Sequence, residues 1–363
     1  MRITAAVCRD GAAAPRLEQL DLEAPRAGEA LVRIEAVGVC HTDIRAASRP
    51  GPRPIVLGHE GAGTVEAVGE AVTGLQAGDK VLMSFAFCGA CGPCRRQARA
   101  YCIHNGPLSF AGTRADGSTP LSQDGEPVFA SFFGQSSFAT HAVCEARQMI
   151  RLDPDAPLQL YAPLGCGIQT GAGAVLNALK LRPGQSFAVF GSGSVGLAAV
   201  MAAKVAGAGP IIAIDPVPAR RALALELGAS LAVDPAADDP VEAVRAATGG
   251  EGAEATLNTT DIPEVYRQGL AALRPLGTFG FVTTPRSELA PDWRELMLGG
   301  RTVRGIVQGD SEPQAFIPRL IGLHRDGRFP LEKLVTIYPF DDIARAFHDS
   351  ETGAAIKPVL QIS

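Results

Sequence analysis

Over the first 150 residues the chain runs in short apolar stretches that alternate with polar positions and break at glycine or proline. Residues 30–37 place Leu31, Val32, Ile34 and Val37 around Arg33 and Glu35, and residues 61–69 place Val65 and Val68 around Thr64 and Glu66. Both have the period-two character and β-branched content of strands. Residues 78–83 read as a turn feeding another strand, and residues 1–8 as a first strand. This half is expected to be a mostly antiparallel β domain.

The texture changes near Pro163. From residue 186 onward, apolar runs predict strands at 187–190, 211–214, 231–233, 255–258, 277–283 and 302–307. Helical patterns fall between them at 195–206, 218–227 (stopped by Gly228), 241–248 and 264–273. Repeated strand–helix–strand units imply a parallel sheet with helices on both faces. From about residue 308 the texture is mixed again, and this tail is expected to pack on the first domain. The predicted fold is therefore α/β. One domain comprises residues 1–167 and 308–363, with a cysteine lobe at about 86–104, and a doubly wound domain comprises residues 168–307.

A chain of 363 residues suits two domains. The formal net charge is −5, and the one basic cluster, Arg95, Arg96 and Arg99, is too short for a nucleic-acid arm. Arg9 and Asp10 interrupt the first apolar stretch, so it does not read as a secretory leader. The longest apolar region, 186–214, holds Lys204 and many glycines and is not expected to span a membrane. Cytoplasmic residence is the default expectation.

Gly191, Gly193 and Gly196 form G-x-G-x-x-G between a predicted strand and a predicted helix. The first glycine permits the tight turn, the second lets a pyrophosphate approach the backbone, and the third lets helix pack on strand. The helix N-terminus then offers unpaired N–H groups to the phosphates. Asp215 ends the second strand, where a carboxylate can bond both ribose hydroxyls and would repel a 2′-phosphate. NAD is expected over NADP, with Arg220 and Arg221 close enough to soften that preference. The bland alternative is a glycine turn of any α/β sheet, with Asp215 capping a helix.

Four of the eight cysteines, Cys88, Cys91, Cys94 and Cys102, lie in one stretch with spacing C-x2-C-x2-C-x7-C. Four thiolates on one lobe fit a closed tetrahedral zinc site, which is structural because no position stays open. An iron–sulfur cluster matches the first three spacings, but its pattern wants x3 and a proline after the last cysteine, where Ile103 stands here. Cys40, His59 and Cys166 are dispersed. A site of two Cys and one His leaves one zinc position open, the ligand set known from alcohol dehydrogenases. Spacing alone does not bring the three together, and each has an ordinary packing role as its alternative.

Taken together, Gly38 to Asp43, Gly58 to Gly63, the four-cysteine lobe, Gly165-Cys166-Gly167, and the Gly191–Gly196 turn with Asp215 resemble the zinc-containing medium-chain alcohol dehydrogenases over essentially the full length. Within that family, residues 163–177 look most like bacterial aryl-alcohol (benzyl alcohol) dehydrogenases and their geraniol-oxidising relatives. The resemblance implies a GroES-like catalytic domain and a Rossmann domain. It implies two zinc ions per chain and NAD as cofactors, and oxidation of a primary aromatic or allylic alcohol to the aldehyde.

Residue roles follow from the resemblance. Cys40, His59 and Cys166 hold the catalytic zinc, Asp43 orients His59, Glu60 lies beside the metal, and Thr42 takes the alcohol proton. His41 and Lys357 contact the pyrophosphate, Val195 presses on the nicotinamide, and Thr170 belongs to the cofactor set. Ser84, Phe85, Phe110, Phe132 and Phe133 fall where family members line the substrate pocket. One position departs: liver-type relatives carry a histidine five residues after the first zinc cysteine, and here that residue is Arg45, which stays protonated and cannot act as that base. Partners are expected to be a small alcohol or aldehyde and a second copy of the chain, in a homodimer rather than a homotetramer. The competing readings are a thiol-dependent formaldehyde dehydrogenase on the same scaffold and a non-catalytic NAD- and zinc-binding protein.

Overall fold

A computed structural model describes residues 1–10, 14–49 and 51–362. These residues form two compact units. The first comprises Met1–Cys166, Glu312–Ile321 and Leu331–Ser363, and the second Gly167–Ser311 and Gly322–Pro330.

The first unit is built on two sheets. One has five strands in the order Ile55–Val56, Arg2–Cys8, Arg16–Leu22, Leu121–Gln123, Glu126–Val128. The other runs Met149–Arg151, Lys80–Met83, Gly61–Val68, Glu29–Gly38, Lys357–Gln361, Val335–Pro339, with His141–Glu145 also paired to Glu29–Gly38. Neighbouring strands are antiparallel except the last pair. Alternation in Glu29–Gly38 turns Val32 and Ile34 inward onto Val65, Val81 and Leu360, while Arg33 stays exposed. The strand near the C-terminus matters most for the site, because Val359 pairs with Gly38 and so carries Lys357 to Val39.

The second unit is a six-stranded parallel sheet in the order Leu231–Val233, Ile211–Ile214, Phe187–Phe190, Ala253–Asn258, Leu273–Phe281, Thr302–Gly305. In chain order that is 3-2-1-4-5-6, the doubly wound Rossmann arrangement. The helices Pro218–Leu227, Pro240–Ala247 and Pro263–Ala271 each begin on a proline, which is preset for the first helical position and loses no needed N–H there. The Asp239 side chain also accepts the Val241 and Glu242 N–H groups, a cap of about 1 kcal/mol.

The structure departs from expectation at two places. The strand expected at 277–283 begins at Leu273, because Pro275, Leu276 and Gly277 read as a turn but the chain passes through them with Leu276 left-handed (φ 65) and a register shift opposite Ala253 and Ala255. The tail expected wholly on the first domain is shared. Residues 308–311 stay with the second unit, where the Ser311 hydroxyl lies 2.7 Å from both Gln169 Oε1 and the Gln308 carbonyl oxygen and Asn177 donates to the Gly309 carbonyl. Gly322–Pro330 also belongs to the second unit, with Arg328 donating to the Val205 carbonyl.

Candidate functional site

Cys40 follows the strand Glu29–Gly38 and precedes the helix His41–Ser48. The first turn of that helix supplies Asp43, which is fully buried. Its carboxylate accepts the Cys40 N–H at 2.9 Å and the Gly58 N–H at 3.1 Å, and it lies 2.9 Å from His59 Nδ1. This one carboxylate therefore fixes the loops that carry Cys40 and His59. Gly58 is left-handed (φ 93), and a Cβ there would stand 2.5 Å from the Phe138 backbone nitrogen, so only glycine turns the chain into His59 at this point.

These segments bring Cys40, His59, Glu60 and Cys166 together, with one ligand atom from each lying within 4.8 Å of all the others. Ligand bonds of about 2.0–2.3 Å let atoms that close share one zinc ion. With Nδ1 on Asp43, Nε2 is the remaining ligand atom of His59; it is buried and lacks a hydrogen-bond partner among the described residues. Burial pushes the imidazole down, but Asp43 and Cys40 outweigh it and hold its pKa well above the usual histidine range. The hydrogen bond from Cys166 holds the Cys40 thiol well below its ordinary value, and the Cys166 thiol is pushed up in turn. A field that draws a proton onto His59 and a charge onto Cys40 is one that favours a cation between them.

Glu60 is fully buried, and burial raises its pKa. Lys357 faces it, with Nζ 3.0 Å from both carboxylate oxygens and 3.0 Å from the Val39 carbonyl. Burial opposes the ammonium, but Glu60, Cys40 and Cys166 hold it charged. Three partners use all three ammonium donors. Lys357 was expected at the pyrophosphate; here it serves Glu60.

Aromatic rings flank the cluster. Phe133 stacks on the His59 ring at 4.4 Å, Phe132 meets that ring edge-on at 5.6 Å, and Phe110 packs edge-on against Phe132 and Phe133. Phe110 is 51% exposed, so this aromatic group opens to solvent at one end. The other two pocket candidates lie elsewhere in the packing. The Ser84 hydroxyl donates to the Gly165 carbonyl at 2.8 Å, and Phe85 is buried against Phe87. Thr42 is half-buried and His41 exposed in the first turn of their helix.

Cys88, Cys91, Cys94 and Cys102 also converge within 4.8 Å. The Cys91 N–H donates to Cys88 Sγ and the Cys88 N–H to Cys102 Sγ, both at 3.3 Å. The backbone N–H of Cys94 lowers the Cys91 thiol to about 6, and burial pushes Cys94 up to about 12. Sulfur atoms that already accept backbone N–H bonds are prepared for the thiolate form a metal requires.

In the second unit the glycine turn links Phe187–Phe190 to the helix Ser194–Val205. A Cβ on Gly196 would stand 1.8 Å from the Gly191 carbonyl oxygen, whereas one on Gly193 would meet nothing within 4 Å. Gly196 is thus required by packing, and the open space over Gly193 is free for a ligand. Asp215 is buried at the end of its strand and accepts N–H groups from Ser192 at 2.7 Å and Val217 at 2.8 Å. Each carboxylate oxygen keeps a lone pair for another donor. Among the described residues the Ser192 hydroxyl and the Asn258 amide nitrogen are buried without partners, as groups that await a polar ligand would be. Arg220 comes within 3.9 Å of Asp215, and Arg221 donates to its carbonyl oxygen. Val195 and Thr170 are half-buried, and the Thr170 hydroxyl lies 3.5 Å from Gln308.

A dinucleotide sheet and a buried Cys–His–Cys cluster in one chain are the equipment of a metal-dependent dehydrogenase. Comparison with known proteins agrees. Residues 26–154 match the alcohol dehydrogenase GroES-like domain, and residues 194–322 match the zinc-binding dehydrogenase domain. A geraniol dehydrogenase of Castellaniella defragrans is 49% identical over 365 residues, covering 98% of this chain and 96% of that one. The crystal structure of an alcohol dehydrogenase zinc-binding domain protein from Burkholderia ambifaria superposes with a TM-score of 0.97 at 49% identity, covering 100% of this chain and 99% of that one. The benzyl alcohol dehydrogenase of Acinetobacter calcoaceticus superposes with a TM-score of 0.96 at 42% identity, with both chains fully covered. The chain belongs to the zinc-dependent medium-chain alcohol dehydrogenase family, whose members use zinc and NAD.

Sequence reasoning missed the pairing of Lys357 with Glu60 and the buried polar residues Gln135, Gln148 and Ser136. The one available signal was the polar run Gln135-Ser136-Ser137 set between Phe133 and Phe138.

Proposed function

We propose that the enzyme oxidises primary alcohols whose carbinol carbon adjoins a planar unsaturated group, benzylic or allylic, to the aldehyde, with hydride passing to NAD. The observation that carries this reading is the aromatic group of Phe110, Phe132 and Phe133 set on the His59 ring. Flat rings in edge and stacked contact prefer a flat, polarisable partner. Geraniol and benzyl alcohol, which give two relatives their names, are of this kind.

Cys40, His59 and Cys166 would hold one zinc and the four-cysteine lobe a second; bound at the first site, zinc supplies the Lewis acidity that lowers the alcohol pKa, and NAD accepts the hydride. The chain's own residues do the rest. Asp43 holds His59 in the tautomer that presents Nε2. Lys357 neutralises Glu60, so a second carboxylate stands by the cluster without an uncompensated charge. Thr42 takes the hydroxyl proton and passes it toward water, since Arg45 cannot serve as a base. Gly193, Ser192 and Asp215 receive the dinucleotide, with Thr170, Val195 and Arg220 around it in the same unit. The Asp215 carboxylate disfavours a 2′-phosphate.

The edge strand Thr302–Gly305 and the helix Trp293–Gly299, in which no residue is buried, support a homodimer. Leu276, Trp293, Met297 and Leu298 are each about 70–80% exposed on this unit, a surface that a second copy would cover. None of the eight cysteines is in a disulfide, which suits the reducing cytoplasm.

A substrate panel tests the reading. NAD reduction with benzyl alcohol and geraniol should exceed that with 1-propanol in kcat/KM by at least tenfold (about 1.4 kcal/mol). A preference for a hydroxymethyl-thiol adduct, or no NAD reduction with any alcohol, would refute it.

A further inference from the structure

Residues 131–137 make a turn that is costly in isolation. Ser131 (φ 72), Phe133 (φ 51), Gly134 (φ 73) and Ser136 (φ 49) are all left-handed. Non-glycine residues held there persist only where their surroundings over-determine them, and such strain gathers at functional sites. Here the surroundings are a set of buried amides and hydroxyls. Ser136 Oγ accepts the Phe132 N–H at 2.9 Å and donates to the Val56 carbonyl at 2.6 Å. The Gln148 amide donates to the carbonyls of Phe133 and Ser84.

Gln135 sits at the centre. Its side-chain nitrogen donates to the His59 carbonyl at 3.0 Å and the Ser84 carbonyl at 3.1 Å. Its oxygen accepts the Gly61 N–H and the Ser137 hydroxyl, both at 3.1 Å. A glutamine amide has two donor hydrogens and two acceptor lone pairs, and all four are used. One partner is the backbone of His59 itself. Another is Ser84, whose hydroxyl holds the Gly165 carbonyl, the peptide unit that leads into Cys166. The same amide thus grips the backbone of one cluster residue, reaches a second through one serine, and closes the turn that stacks Phe133 on His59.

We propose that Gln135 is a positioning residue that fixes the metal cluster and the aromatic wall to each other, so that substrate shape and metal geometry are set by one side chain. The proposal rests on the reading of Cys40, His59 and Cys166 as ligands of one zinc. It is tested on the zinc-loaded full chain with Gln135→Met, which keeps the volume and removes all four bonds, and Gln135→Glu, which keeps the acceptor and loses both donors. The readouts are the rate of zinc transfer to a chelating dye and the kcat and KM for benzyl alcohol and 1-propanol. Both variants should release one zinc roughly 10–100-fold faster, the range for losing a residue that orients a metal ligand. KM for benzyl alcohol should rise more than KM for 1-propanol. Wild-type zinc release with an unchanged ratio of the two substrates, even at a lowered melting temperature, would overturn the proposal and leave Gln135 a purely structural residue. If neither variant folds, Ser137→Ala, which strips one of the four bonds, must itself speed zinc release by about threefold or more; a wild-type rate overturns the proposal. His59→Ala separates the two levels: retention of its full zinc content would overturn the ligand reading and the proposal with it, whereas loss of one zinc beside a wild-type release rate in Gln135→Met would overturn the positioning role alone.

Discussion

Residues 88–102 supply every sulfur of one cysteine cluster, whereas the other draws on positions 40, 59 and 166. In the local lobe Cys88 Sγ and Cys102 Sγ accept N–H groups from the same short loop, and the sulfur pairs Cys88–Cys94 and Cys91–Cys102 each lie 3.9 Å apart. In the dispersed cluster the neighbours are a finished framework: Asp43 ties two ligand loops, Lys357 neutralises Glu60, and Gln135 grips the His59 backbone. On the proposed reading the contrast teaches that metal would serve different ends in one unit: at the lobe a metal would organise the chain, and at the dispersed cluster the chain is already organised to hold one for chemistry.

The contrast can be broken at several points. Cys40→Ala should cut NAD reduction with benzyl alcohol by about ten-thousandfold, some 5 kcal/mol of transition-state stabilisation, with a near-native melting temperature; retained activity would remove the distinction. Lys357→Met leaves the buried Glu60 carboxylate unpaired and should lower stability in urea by about 3–5 kcal/mol. The double variant with Glu60→Gln should recover most of that loss. Cys102→Ser should do the reverse of Cys40→Ala. It should lower the melting temperature by roughly 4–8 °C, about 2 kcal/mol, with kcat within about twofold of wild type; an unshifted melting temperature would count against a structural lobe. Phe133→Leu should be mildest, lowering the benzyl alcohol to 1-propanol preference by about 2- to 10-fold, the worth of one aromatic pair.

What the sequence disclosed follows the same division. The glycine turn, the stop at Gly228 and the four-cysteine spacing are local signals, and the turn, the helix end and the converged lobe stand where they point. The convergence of Cys40, His59 and Cys166 was expected only through resemblance, because it depends on strand pairing and not on spacing. Lys357 shows why: its partner is chosen by the register of Val359 with Gly38 across the sheet, which no nearby residue announces. Gln135 was invisible for a related reason, since its four partners come from three separate segments. The strand at Leu273 was misplaced because Pro275 and Gly277 carry turn chemistry that the sheet overrides with a bulge.

The most direct test is a metal count on purified chain by mass spectrometry, for wild type, His59→Ala and Cys102→Ser. Two zinc ions per chain in the wild type are expected, with one in His59→Ala and that one retained through dialysis against a mild chelator. Two zinc ions in His59→Ala, or one in the wild type, would contradict a shared ion at Cys40, His59 and Cys166.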